Sequence, residues 1–292
     1  MIELVIDARR KDLGGFEVGR VLPFPTRRTI GPFIFLDQMG PAEFAPGADA
    51  INVRPHPHIG LSTLTYLFEG EIMHRDNLGF TQAIRPGEVN WMTAGKGIVH
   101  SERTDPLKRA TGGPMHGMQA WIALPDEAED CDPGFFHHAE ADLPAYENGG
   151  LFARLVAGEA YGAAAAVKTS SPLFYVHWEM QEGVRTTPPP GKGAGGMSER
   201  ALYVAKGSIE VAGQTFQAGQ MIVLEAQAEP TVKALERATV MALGGEPVGE
   251  RLIWWNFVAS SQARIDAAKA DWQAGRMALP SDDDQEFIPL PD

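Results

Sequence analysis

Apolar and polar positions in this chain change over in short runs. "STLTYLFEGEIMHRD" alternates β-branched and aromatic residues with polar ones, so it predicts two strands joined at Glu69-Gly70. "GFTQAIRPGEVNWMTA" predicts two more, joined at Pro86-Gly87. "HGMQAWIALP" and "LFYVHWEMQEGVRTTP" continue the pattern. Glycine (32) and proline (22) fall between the runs as turn signals. Closely spaced short strands of this kind predict an all-β sandwich or barrel. One segment has a different rhythm. "SSQARIDAAKADWQAGRM" predicts a helix near the C-terminus, capped by Ser260 or Ser261 and ended by Gly275.

The strand pattern occurs twice. "YLFEGEIMHRDNLGFTQAIRPGEVNWMTAG" runs strand, turn, strand, loop, strand, Pro-Gly turn, strand. "ALYVAKGSIEVAGQTFQAGQMIVLEAQ" repeats it, with Gly207 where Gly70 stood and Gly219 where Gly87 stood. This predicts an internal duplication of one β-fold. The stretch after "DPGFFHHAEADLPAYENGG" has the composition of a connection, which places the domains at 1–140 and 141–292. "TTPPPGKGAGGMSE" reads as a surface loop within the second.

Composition narrows the function classes. The chain has 292 residues, 44% hydrophobic and 22% charged, which suits a folded, soluble protein of two ordinary domains or one large one. A net charge of −13 argues against direct nucleic-acid or membrane binding. The basic pairs in "ARRKD" and "TRRTI" are too short to reverse this. The single cysteine, Cys131, lies in "EDCDPG". Its acidic neighbours raise a thiol pKa, so no reactive thiolate is expected. "MIELVIDARRKD" lacks the form of a signal peptide, and no apolar run reaches membrane-spanning length. A cytoplasmic monomer is expected.

The candidate chemistry begins with "RPHPHIG". Pro55 and Pro57 disfavour helix in the residues before them, so His56 and His58 sit on extended chain and point to one side. "GKGIVHSERT" supplies a second such pair, His100 and Glu102, 42 residues beyond His58. A barrel can bring the two strands together with all four side chains inward. Three imidazoles and one carboxylate suit a divalent first-row metal and leave coordination positions open on an octahedral ion. His74 and Asp76 share strand parity nearby and read as an outer pair, the carboxylate orienting the ring. His116 precedes a predicted strand and is placed at the barrel mouth. His137, His138 and His177 have no partners at ligand spacing and read as structural. Trp91, Met92 and Trp121 read as barrel lining. The second repeat has no histidine. Ser208, Glu210, Gln214 and Gln217 stand where its ligands would be needed, so no metal is expected there.

"RPHPHIGLSTLTYLFEGEIMHRDNLG", "IRPGEVNWMTAGKGIVHSE" and "GMQAWIALP" together resemble the pirin family of the cupin superfamily. "GGEPVGERLIWWNFVAS" followed by a short helix matches that family's C-terminal pattern. The resemblance spans nearly the whole chain. It implies two tandem jelly-roll cupin barrels (a bicupin), with one metal in the N-terminal barrel held by His56, His58, His100 and Glu102. Many cupins place a glutamate four residues after the second histidine. Here that position is Ser62, so Glu102 is the only carboxylate of the expected set.

The resemblance further implies a quercetin 2,3-dioxygenase-like enzyme acting on a flavonol or similar chelating aromatic with O2. Fe(II) is the expected metal, with Mn, Ni, Cu or Zn as alternatives. Glu102 would be the catalytic base. The competing reading is a non-enzymatic, iron-dependent binding protein that modulates a transcription factor or metabolic enzyme.

Overall fold

The computed structural model describes residues 1–12, 16–48, 51–191 and 196–291. The alternating runs are strands where the sequence places them: Leu61–Glu69, Ile72–Asp76, Thr81–Ile84, Val89–Thr93, Gly113–Ala123 and Leu173–Met180. Four sheets contain most of them, and two hold seven strands along their main path. One runs Gly134–His138, Val89–Thr93, Leu61–Glu69, Gly113–Ala123, Phe33–Phe44, Glu17–Leu22, Arg9–Asp12. The other runs Ile2–Asp7, Gln220–Leu224, Glu199–Lys206, Ala238–Gly245, Leu173–Met180, Leu151–Ala160, Ala145–Asn148. Two four-stranded sheets complete the pattern. The first is Asn52–His58, Ile98–Arg103, Ile72–Asp76, Thr81–Ile84, and the second Arg185–Thr186, Val232–Ala234, Ser208–Val211, Gln214–Gln217.

Place for place, the two halves have the same strand order. The duplication read from the glycine rhythm is therefore a duplication of topology, and the fold is two jelly-roll barrels of cupin type. The match also corrects one expectation. Ser208, Glu210, Gln214 and Gln217 lie on the counterparts of the His74 strand and its neighbour. The counterparts of the two strands bearing His56, His58, His100 and Glu102 carry Arg185, Thr186, Val232, Lys233 and Ala234. Turn spacing alone cannot reveal which strands pair.

The chain forms two compact units. One comprises Lys11–Val18, Met39–Glu140 and Val248–Asp292; the other comprises Met1–Arg10, Gly19–Gln38 and Ala141–Pro247. A single cut at residue 140 does not describe this partition. The first strand, Ile2–Asp7, pairs with Gln220–Leu224 of the second half, and the C-terminal helix belongs with the first. Strand exchange of this kind leaves no mark in composition.

The two interiors differ. Leu155, Val176, Trp178, Leu202, Val204 and Val240 fill the second unit's core with apolar side chains. In the first unit an apolar cluster of Phe16, Val18, Leu67, Ile72 and Ile84 coexists with a face of polar residues that includes His56, His58, His74, Asp76 and His100. The helix Gln262–Gln273, with Ser261 at its N-cap, packs Ile265, Ala268 and Trp272 against Ile59 and Val99. Those two residues neighbour His58 and His100, so the helix covers the face opposite these histidines at that point.

A second helix, Pro106–Thr111, begins where Asp105 accepts the Leu107 N–H at 2.9 Å. "TDPLKRATGG" carries that cap-Pro signal, and the sequence reading passed over it. The Pro/Gly loop is only partly surface. Pro188 and Pro189 are buried, and Arg200 donates to the Pro189 carbonyl at 2.8 Å. Its residues 192–195 lie outside the described residues. Among the described residues, no helix is long and apolar enough to cross a membrane.

Candidate metal centre

His56 and His58 come from one strand and His100 and Glu102 from its neighbour in the sheet, a pairing that spacing alone does not show. The strands pair antiparallel with His100 opposite His56 and Ile98 opposite His58. The register then slips: Glu102 faces Val53, so Arg54 and Pro55 stand against Ser101 alone. A proline cannot donate to the ladder, and a bulge is where a strand accepts one. The slip brings the Arg54 carbonyl within 2.8 Å of His56 Nδ1.

The ligand atoms of His56, His58 and His100 all lie within 4.8 Å of one another. Ring centroids are separated by 4.5 Å (His56–His100), 5.0 Å (His56–His58) and 5.1 Å (His58–His100). All three rings are buried. Burial disfavours the charged imidazolium, so His56 falls to about 4 and the other two well below their ordinary value. Neutral rings keep a lone pair for a metal. His58 Nδ1 is 3.1 Å from the Asn256 carbonyl. His100 Nε2 is buried with no hydrogen-bond partner. A buried nitrogen without a partner is costly, and a cation among three neutral imidazoles would relieve it. The donor set thus fits a divalent first-row metal.

The grouping of close ligand atoms does not include Glu102. Glu102 sits two residues beyond His100 in a regular stretch of strand and opposite His74. Thr65 Oγ1 is 3.4 Å from Glu102 Oε1 and 2.7 Å from Gln119 Oε1. Burial pushes the Glu102 carboxyl up to about 7, against the pull of the Thr65 hydroxyl.

The family model for pirin matches residues 15–122, and that for the pirin C-terminal cupin domain matches residues 175–278. A pirin-like protein of Caulobacter vibrioides is 62% identical over 294 residues, covering 100% of both chains. The chain belongs to the pirin family. A Pseudomonas aeruginosa relative, provisionally named a quercetin 2,3-dioxygenase, is 40% identical over 92% of this chain and 83% of its own. A solved structure of a quercetin 2,3-dioxygenase from Acinetobacter baumannii is 34% identical, with a TM-score of 0.89 over 99% of this chain and 95% of that one.

Other residues of this pirin-family site gain definite surroundings. Trp121 sets its ring edge against His58 at 5.1 Å. His74 bonds Asp76 at 3.0 Å and stacks on Phe135 at 4.2 Å. Asn256 was missed. It follows Trp255, whose φ of 52° turns the chain sharply enough to offer the Asn256 carbonyl to His58. "WWN" was visible in the sequence, but nothing there says which histidine it serves. Thr65 and Gln119 were also missed, being ordinary strand polars until the register pairs them.

His116 lies within the strand Gly113–Ala123, not before it, and is buried against Phe68. His137 Nδ1 is 2.8 Å from Asn90 Oδ1, and His177 Nε2 is 3.2 Å from Glu179 Oε1. The Cys131 thiol is pushed up by burial and by Asp132 and Asp130.

Proposed function

We propose that this chain is a metal-dependent dioxygenase of the quercetin 2,3-dioxygenase type, acting with O2 on a flavonol or similar chelating aromatic. The observation that carries the reading is the convergence of three buried, neutral imidazoles on one point, one of them with an unpartnered Nε2. The relatives that bear the quercetin 2,3-dioxygenase name support it. His56, His58, His100 and Glu102 would hold one divalent ion, Fe(II) in this reading. Bound there, the ion supplies Lewis-acid polarisation and redox chemistry toward O2.

The chain's own residues do the rest. The Glu102 carboxylate, beside the Thr65 hydroxyl, would accept the proton of the substrate hydroxyl. Trp121 packs edge-to-face with His58 and Phe135 stacks on His74, so the histidines sit among aromatic rings. The second barrel contributes no catalytic group.

Metal analysis of anaerobically purified protein should give about one equivalent per chain, and His58→Ala should lose most of it. The loaded protein should consume O2 with a flavonol in an oxygen electrode. Metal without O2 uptake on any flavonol or catechol-like compound would replace the enzyme with a metal-dependent binding protein. Undiminished metal in folded His58→Ala would sink the ligand assignment.

A further inference from the structure

The three imidazoles differ in what decides which nitrogen carries hydrogen. His56 Nδ1 faces the Arg54 carbonyl at 2.8 Å, and His58 Nδ1 faces the Asn256 carbonyl at 3.1 Å. A carbonyl only accepts, so each Nδ1 must be the N–H of its neutral ring. Nε2 is left bare in both.

His100 has no such fixed partner. Its Nδ1 faces Nδ1 of His74 at 3.4 Å, and either ring could donate to the other. Its Nε2 is the buried nitrogen without a partner. Which of the two facing nitrogens holds the hydrogen therefore decides whether His100 offers the centre a lone pair or an N–H.

The answer lies one ring further out. His74 Nε2 is 3.0 Å from Asp76 Oδ2. The other oxygen of Asp76 accepts backbone N–H groups from Leu78 at 2.9 Å and Phe80 at 3.1 Å. An ionised carboxylate is an acceptor only. When the His74 ring is neutral, it must then donate from Nε2 and keep a lone pair on Nδ1. That lone pair can only accept, so His100 must donate from Nδ1. Its Nε2 is left bare, like those of His56 and His58. Stacking on Phe135, at 15° between planes, holds the His74 ring at the angle this needs. Strand pairing places the parts in line, with His100 opposite Asp76 and Glu102 opposite His74.

We propose that Asp76 and His74 are positioning residues that set the tautomer of His100, so that all three histidines turn an Nε2 lone pair on the metal centre. The proposal rests on the metal reading above, but its first test needs no metal. Nitrogen NMR of histidine-labelled, metal-free wild type, well above the usual imidazole pKa of about 6.5, distinguishes a protonated ring nitrogen from a bare one. His100 should show hydrogen on Nδ1. Hydrogen on Nε2 overturns the proposal, whatever the protein does with metal.

Asp76→Asn supplies the second test. It keeps the side chain's size and an oxygen for the two backbone donors, and it turns an amide NH2 toward His74 Nε2. The chain of donors should reverse and put the hydrogen of His100 on Nε2. Affinity for Co(II), used alone as the probe metal, should fall about 10–100-fold, as for other outer partners of metal-bound histidines. A folded variant with an unchanged His100 tautomer and unchanged Co(II) affinity overturns the proposal. If the variant does not fold, the wild-type spectrum decides alone. The expected tautomer in a wild type that takes up no metal would sink the metal reading and leave the hydrogen-bond relay standing.

Discussion

Glu102 has two demands on one carboxylate. It is the expected anionic ligand, and in the proposed reaction it would also take a substrate proton. Glu102→Gln keeps the shape and an oxygen but removes the charge and nearly all basicity. The variant should keep part of its metal yet lose turnover by roughly 10²–10⁴-fold, the range expected of a general base. Rates must be compared per bound metal, so that lost binding is not counted as lost chemistry. Equal turnover per metal would leave Glu102 at most a ligand and send the search for the base elsewhere. The His56/His58 pair was legible because strand alternation aims the two rings together and the prolines keep that stretch extended. That His100 joins them depends on a strand pairing that spacing does not show. Asn256 was not legible. Its contact with His58 uses a backbone carbonyl 198 residues away, and a carbonyl has no residue-type signature. His74 and Asp76 fell between these cases. Parity made them a pair, but only the pairing register ties them to His100.

Gly70 and Gly207 show why the strand-turn-strand unit could be read twice from one rhythm. Each lies in the left-handed region, at φ 96° and 77°. A Cβ on Gly70 would come 2.7 Å from the Pro114 carbonyl oxygen, and one on Gly207 would come 2.3 Å from that of Arg237. Pro114 and Arg237 stand at the start of equivalent strands, Gly113–Ala123 and Ala238–Gly245. The same close backbone passage therefore demands glycine in both halves. Gly79 offers a control, with φ 93° and nothing within 4 Å of its Cβ position. Gly79→Ala should cost only the left-handed penalty of about 1–2 kcal/mol. Gly70→Ala should cost clearly more, because backbone must also shift. Thermal unfolding of the two variants checks the order, and equal losses would remove the close passage as the cause. Strand positions were legible because turn glycines and alternating residues act locally. The helix was legible from its composition, and it runs Gln262–Gln273 within the expected span, with Ser261 at the N-cap position but making no side-chain capping bond. What the helix covers was not. Its packing on Val99 and Ile59 depends on a tail that joins the first-half unit, and no local pattern encodes that distance.

Duplication gave this molecule two barrels with one strand order and two different interiors. In the first unit, the strands Asn52–His58 and Ile98–Arg103 turn three imidazoles and a carboxylate to one face. In the second, their counterparts are Arg185–Thr186 and Val232–Ala234. The latter is a three-residue strand whose Val232 and Ala234 are fully buried in the apolar cluster with Trp178 and Val204. Restoring a ligand there would bury a polar ring among aliphatic side chains with no partner, at about 1–3 kcal/mol or more for each unsatisfied group. At Val232 and Ala234, packing as well as residue type therefore opposes a metal ligand. Crystals of protein loaded with a transition metal should therefore show one anomalous peak per chain, beside His56, His58 and His100. His58→Ala should weaken that peak without creating another. A second fully occupied peak among residues beyond 150, away from the chain ends, would mean that a metal can be held without imidazole on the counterpart strands. The correspondence drawn here between strand order and site loss would then fail, and with it the assignment of chemistry to the first barrel alone.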